Sequence, residues 1–442
     1  MARQLLLILG MLAIGAGSVQ AQPSQAISGA EACRPAANET LQSLQTRKNN
    51  LEQDLKRFGS QTTPAVRKMQ EDLIEVMFQI DCLNQEPVLA KRGVIAKRSV
   101  TPSPAGGGGG APKQLVEITT YYATNRNNLG GTEPAKMYGT SYQGNFQYGR
   151  AVVSIPPSHT PGEIESLGII MRMIVEPDPN KHFILKSVTQ LEPGTARAEM
   201  AAKIKASNSK SMLVFVHGYN SGFADAAMRT AQIAYDLQFP GMPFFYSWPS
   251  ANRVRAYLPD EEAAQLSESV FEALIDDITT NLPVTDIYII AHSMGTRVVS
   301  RGLQARAEKG KPNKQLRELL LAAPDINAEL FRGVIAPKLA AMQGLRTTVY
   351  ASSSDLALMA SKVVHGFQRV GETNGGVFTY PGIETIDASS AASSSRALGH
   401  SYVVDTPSVI GDIQSVVLKH ASTAQRGLTS AGNAPNVYWR FP

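Results

Sequence analysis

The order of apolar runs in this 442-residue chain predicts an α/β protein: a mostly parallel sheet with helices on both faces, preceded by an N-terminal antiparallel helical hairpin. Three observations carry that expectation. Past residue 113, β-rich runs alternate with helical ones, the pattern of strands joined by covering helices. Between Asn38 and Leu83 the apolar positions instead recur at spacings of three and four. A glycine and proline tract separates the two patterns.

The elements follow in order. Met1–Ala21 has a basic start at Arg3, an apolar run from Leu5 to Ala16 and a small-residue exit at Val19-Gln-Ala21, which reads as a signal peptide cut after Ala21. The run falls short of a bilayer span, so the mature protein is expected in the periplasm or secreted. Leu41, Leu44, Lys48, Leu51, Leu55 and Phe58 form one seam, and Val66, Met69, Leu73, Val76, Ile80 and Leu83 a second. Gly59-Ser60 breaks the first helix, and Thr63-Pro64 offers an N-cap with a first-turn proline for the next. Cys33 and Cys82 lie almost symmetrically about that turn, so folding the hairpin brings them together as a disulfide. The closed loop would stabilise by about 4 kcal/mol in the chain-entropy model. Residues 22–100 are thus either a partner-binding or self-associating arm, or a spacer. Residues 101–113, with five consecutive glycines, form a tether of about 20 Å span.

Residues 114–425 are expected to form the α/β domain, with 426–442 as a tail. Strands are expected at Val116–Tyr122, Ala151–Ile155, Phe183–Thr189, Met212–Val216, Phe244–Ser247, Ile287–Ile290, Leu319–Ala322, Thr347–Ala351 and Gly382–Ile386. Helices are expected at Ala224–Leu237, Glu262–Leu282, Met294–Ala307 and Ala328–Ala341. The first strands have no helix between them and should pair antiparallel at one edge. In such a sheet the chemistry sits at the carboxyl ends of the strands.

Composition narrows the function. A net charge of +5 is modest for this length and gives no footing for nucleic-acid binding. Two cysteines cannot build a metal cluster, and neither a metal-binding His-Glu-x-x-His nor a dinucleotide glycine pattern is present, so no cofactor is expected.

Ala291-His-Ser-Met-Gly295 follows the strand at Ile287 and runs straight into a helix. That is the setting of a nucleophile elbow, in which Ser293 sits on a strained turn and the residues two before and two after it must be small. Alanine replaces the more usual first glycine. Upstream, Met212–Val216 ends in His217-Gly-Tyr-Asn220, where a glycine after a buried strand turns an N–H toward the reacting carbonyl. The backbone N–H groups of Tyr219 and Met294 are therefore expected to form the oxyanion hole. A serine needs a base, and the base needs an acid. His400, on a loop beyond the last expected strand, is preferred over His365. Asp355 is preferred over Asp325, which could instead cap the helix starting at Ala328. His217 and His292 read as turn scaffold, and Trp248 as a candidate wall of the substrate pocket.

On these residues the chain resembles an α/β-hydrolase in serine, acid, histidine order. More narrowly it is similar to an uncharacterised bacterial family marked by Tyr122-Ala-Thr-Asn-Arg126, Val153-Ser-Ile-Pro156, His217-Gly-Tyr-Asn220, Ser247-Trp-Pro-Ser250, Ala291-His-Ser-Met-Gly295 and Ala323-Pro-Asp325, over about Val116 to Leu418. The resemblance implies an esterase-like or lipase-like serine hydrolase acting on a small-molecule or lipid-like ester. Cleavage of amides by the same triad, or a catalytically idle binding protein, are the competing readings.

Overall fold

The computed structural model describes residues 39–58, most of 63–80, 114–165, 176–253, 256–311, 314–392 and 400–442. The expected signal peptide, both cysteines, the hairpin turn and the glycine tether lie outside the described residues.

Among the described residues the strands form one sheet of eleven, in the order β10-β11-β9-β8-β7-β6-β4-β5-β1-β2-β3. They are β1 (Val116–Asn128), β2 (Tyr138–Ile155), β3 (Ile184–Leu191), β4 (Ser211–Val216), β5 (Met242–Ser247), β6 (Asp286–His292), β7 (Leu316–Ala322), β8 (Arg346–Ala351), β9 (Ile383–Asp387), β10 (Thr429–Ala431) and β11 (Tyr438–Arg440). β1 through β3 pair antiparallel, as the missing helices between them require. From β1 to β9 across the middle of the sheet every pairing is parallel.

The strands of the centre are apolar on both faces because both are covered. Met212, Val214 and Val216 of β4 share one core with Ile287, Ile289 and Ala291 of β6, while Leu213, Phe215, Tyr288 and Ile290 enter the other. Over the first face lie α2 (Pro193–Ala206), α4 (Tyr257–Asn281) and α5 (Gly295–Glu308); over the second lie α3 (Phe223–Asp236) and α7 (Pro407–Lys419). In α5 the buried Val298, Val299 and Leu303 recur at helical spacing and fix which side faces the sheet. Each such aliphatic side chain taken from water stabilises by about 1.5–3 kcal/mol.

One expectation needs correction. Residues 426–442 are no tail: β10 and β11 form a hairpin, and β11 adds to the sheet beside β9. Arg426 secures that junction, its buried guanidinium bonding Asp412, Glu384 and the Tyr350 hydroxyl. The helical arm packs on the α/β body. Leu44 of α1 (Leu41–Phe58) packs with Val76 and Ile80 in a small seam of its own, but Leu55, Val66, Leu73 and Met77 belong to the main core. Gln70 donates to the Val364 carbonyl at 2.7 Å, on α6 (Leu356–His365). Thr63 accepts from the Val66 N–H at 3.3 Å, the cap expected there.

Candidate active site

β6 ends at His292 and α5 begins at Gly295, leaving two residues for the turn. Ser293 occupies it with φ +53°, a left-handed backbone that non-glycine residues seldom adopt. Its N–H donates to the Ala322 carbonyl at 2.9 Å, and its own carbonyl accepts from the Thr296 N–H at 3.0 Å. The strain is thereby held from both sides. A Cβ on Gly295 would stand 2.2 Å from the His217 carbonyl oxygen, and one on Gly218 2.6 Å from the Ser293 Cβ. Both glycines are needed because β4 and β6 lie side by side and their terminal turns nearly touch.

His400 Nδ1 stands 2.7 Å from Asp355 Oδ2. Asp355 is fully buried, and its other oxygen accepts from the Leu358 N–H at 3.0 Å, so one carboxylate both caps α6 and holds the imidazole. Burial presses the His400 ring down, but the charge of Asp355 and the hydrogen bond to it outweigh this and leave it above the ordinary histidine value. His292 completes the arrangement. Its ring lies 4.8 Å from that of His400, centre to centre, and its Nε2 is 3.0 Å from the His400 carbonyl oxygen. Burial, with the neighbouring His400, holds His292 at about 3, so it is neutral and donates through Nε2. The residue next to Ser293 thus ties the loop carrying His400 to the elbow.

The alternatives are occupied elsewhere. Asp325 Oδ1 accepts from Ser361 Oγ at 2.6 Å and faces Arg369 Nε at 3.4 Å, while Oδ2 takes the Tyr257 hydroxyl and Arg297 Nη2. Its carboxyl lies well below the ordinary range, because Arg297 and Arg369 overcome the opposing effect of burial. Nor does Asp325 cap the following helix; Asn327 does, accepting from the Glu329 and Leu330 N–H groups. His365 has both ring nitrogens engaged, with Glu261 and with the Ser361 carbonyl, each at 2.8 Å.

The loop after β4 carries Tyr219, and beneath it lies a site whose parts the sequence marked without explaining. Arg126, 1% exposed, directs Nε to Ser247 Oγ (2.9 Å), Nη1 to the Gly139 and Ser250 carbonyls (3.2 and 2.9 Å), and Nη2 to the Ser221 carbonyl (2.9 Å) and His217 Nε2 (3.4 Å). Four of these contacts are to oxygen acceptors, and the fifth is to the His217 ring. The His217 ring is held at both nitrogens, with Nδ1 2.8 Å from the Gly218 carbonyl and Nε2 3.1 Å from the Trp248 carbonyl and 3.2 Å from Ser247 Oγ. Burial first and the Arg126 charge second hold it neutral, at about 3. Asp260 supports the same loop, accepting from Ser250 Oγ at 2.6 Å and from the Asn220 N–H at 3.4 Å. Burial lifts its carboxyl to about 6.

Trp248 does not wall a pocket. It is fully buried, stacks on the His217 ring at 5.1 Å and donates its indole N–H to the His217 carbonyl at 2.7 Å. Tyr122 is likewise core, packed edge-on to Phe223 and Tyr138. Among the described residues no acceptor meets the Met294 N–H, which lies at the first turn of α5.

Residues 192–419 match the family model described as alpha/beta hydrolase of unknown function (DUF900), just over half of the chain. No curated protein matches the sequence. Among solved structures, a protein described as a cell surface hydrolase from Lactobacillus plantarum WCFS1 is 13% identical, with 51% of this chain and 98% of that one covered at a TM-score of 0.28. An esterase from Pyrobaculum calidifontis is 10% identical, with 84% and 98% covered at a TM-score of 0.29. Likenesses this loose carry no argument beyond the family match.

Proposed function

Since the chain belongs to this α/β-hydrolase family of unknown function, we propose that it is an exported serine hydrolase that cleaves carboxylic esters through an acyl-enzyme, with Ser293 as nucleophile, His400 as base and Asp355 as acid. The observation that carries this reading is the convergence of a strained serine at the end of β6 with a 2.7 Å imidazole–carboxylate pair on the loop tied to that same turn.

The steps follow from these groups. Asp355 fixes the Nδ1–H tautomer, leaving His400 Nε2 to take the Ser293 hydroxyl proton as Oγ bonds to the ester carbonyl carbon. The carbonyl π electrons move onto oxygen, and that oxyanion faces the Tyr219 and Met294 N–H groups. On collapse the C–O bond to the alcohol breaks, and His400 gives its proton to the departing alkoxide. Water then repeats the sequence on the acyl-enzyme and frees the acid. The sequence of Met1–Ala21 supports export.

A fluorophosphonate probe is expected to label the purified protein at Ser293, with Ser293→Ala unlabelled and inactive on p-nitrophenyl esters. A wild-type protein that neither labels nor turns over esters, or a Ser293→Ala variant that still does, defeats the reading.

A further inference from the structure

Three separated sequence marks, around Arg126, His217 and Ser247-Trp248, have no part in the proton transfers, yet the fold brings them to one buried point. From this convergence we infer that Arg126 is a positioning residue for the hydrolase reaction: with His217 and Trp248 it clamps the 217–221 loop so that the Tyr219 N–H stays aimed where the oxyanion forms. The inference rests on the proposed role of that N–H.

A buried guanidinium is costly unless its donors are met, and here its partners are carbonyls, a hydroxyl and a ring nitrogen, with no carboxylate in contact among the described residues. A core arginine kept only for stability would be expected to pair with a carboxylate, as Arg426 does with Asp412. Arg126 instead spends its donors on the backbone of two loops. Ser221 ends the proposed oxyanion loop, and Ser250 lies on the loop after β5; the guanidinium bridges their carbonyls at 2.9 Å each. Its other Nη2 contact is to the His217 ring, whose Nδ1 lies 2.8 Å from the carbonyl of Gly218, the residue before Tyr219, and whose Nε2 lies 3.1 Å from the Trp248 carbonyl. Trp248 holds the His217 carbonyl from the opposite side. The peptide units on the approach to the Tyr219 N–H are therefore fixed by groups that cannot relax without losing buried hydrogen bonds. Gly218, packed against Ser293, carries that order to the nucleophile.

A loop serving the oxyanion matters in the transition state more than in substrate binding. With p-nitrophenyl butyrate, Arg126→Gln is expected to lower kcat about 10²-fold, the scale of a lost oxyanion donor, with KM within about threefold of wild type. Arg126→Lys is expected to restore little of the rate, because three donors on a flexible stem cannot span the four oxygen acceptors. Trp248→Phe keeps the ring stack but loses the indole donor, and is expected to lower kcat about tenfold at unchanged KM. If Arg126→Gln does not fold, the Trp248→Phe result decides. Unchanged kcat in folded variants, a loss carried by KM alone, or full recovery in Arg126→Lys overturns the clamp while leaving Ser293 labelling, and so the hydrolase reading, intact. Failure of wild type to label overturns both.

Discussion

His400 shows how one residue's surroundings set a rate. The imidazole acts as a base only when neutral, and the adjacent Asp355 charge holds its proton more firmly than burial alone would. kcat/KM is therefore expected to rise with pH through an inflection above the ordinary histidine value of about 6.5. Asp355→Asn removes both the charge and the tautomer control, and should cut kcat by about 10⁴. A pH–rate profile of both proteins checks this; an inflection below 6 in wild type would contradict it. At this scale much of the site was legible. Ser293 stands between a buried strand and a helix, Asp355 follows the expected strand Thr347–Ala351, and His400 lies beyond the last expected strand. What was not legible was the competition among carboxylates. Asp325 and Asp355 follow adjacent strands with the same local signature, and only the fold reveals that Arg297 and Arg369 have claimed the first. Trp248 was misread for a related reason, since an aromatic after a strand looks alike whether it faces a cleft or lies beneath a loop.

The loop between β2 and β3 shows how an element is fastened. His159 lies buried between two carboxylates, Nδ1 3.0 Å from Glu165 Oε2 and Nε2 2.8 Å from Asp236 Oδ1. Burial opposes its charge, but the hydrogen bonds to Asp236 and Glu165 win and raise the ring to about 9. The folded value exceeds the unfolded one of about 6.5. Its stabilising contribution is thus complete below pH 6.5 and is lost as pH climbs through about 9. Urea midpoints measured from pH 6 to pH 10 should fall in wild type by more than in His159→Asn, which has no such proton to lose. Equal slopes would show that the ring carries no extra proton. α4 starts earlier than its periodicity implied, at Tyr257, because its first turn carries buried polar contacts, Tyr257 to Asp325 and Asp260 to Ser250, that apolar spacing does not mark. Residues 328–340 form a helix broken by a π-helical stretch at Phe331–Ile335, a departure that apolar spacing alone does not encode. β10 and β11 were missed because three-residue strands leave no measurable alternation.

For the whole molecule, the question is what the N-terminal hairpin does once folded. Its apolar seam was legible, but a two-helix unit has more than one apolar face, and sequence spacing cannot tell a seam between the helices from a face turned to another body. The structure separates the two: Leu44, Val76 and Ile80 join the helices, whereas Leu55, Val66, Leu73 and Met77 enter the core of the α/β body. The contact reaches α6 through Gln70, and α6 is the helix that Asp355 caps. Docking the hairpin therefore bears on an element that starts at the proposed acid. Leu73 is fully buried at this junction. Leu73→Asp would force a carboxylate into it, and releasing the hairpin costs less than burying that charge unpaired. The hairpin of the variant is expected to swing free on its glycine tether, so that small-angle scattering gives a larger radius of gyration than wild type at equal monomer mass. Leu73→Ala, which leaves a void without a charge, should keep the wild-type radius and lower the unfolding free energy by about 2–5 kcal/mol. If wild type already scatters as widely as Leu73→Asp, the hairpin is an independent arm and its apolar face is covered by something other than this domain.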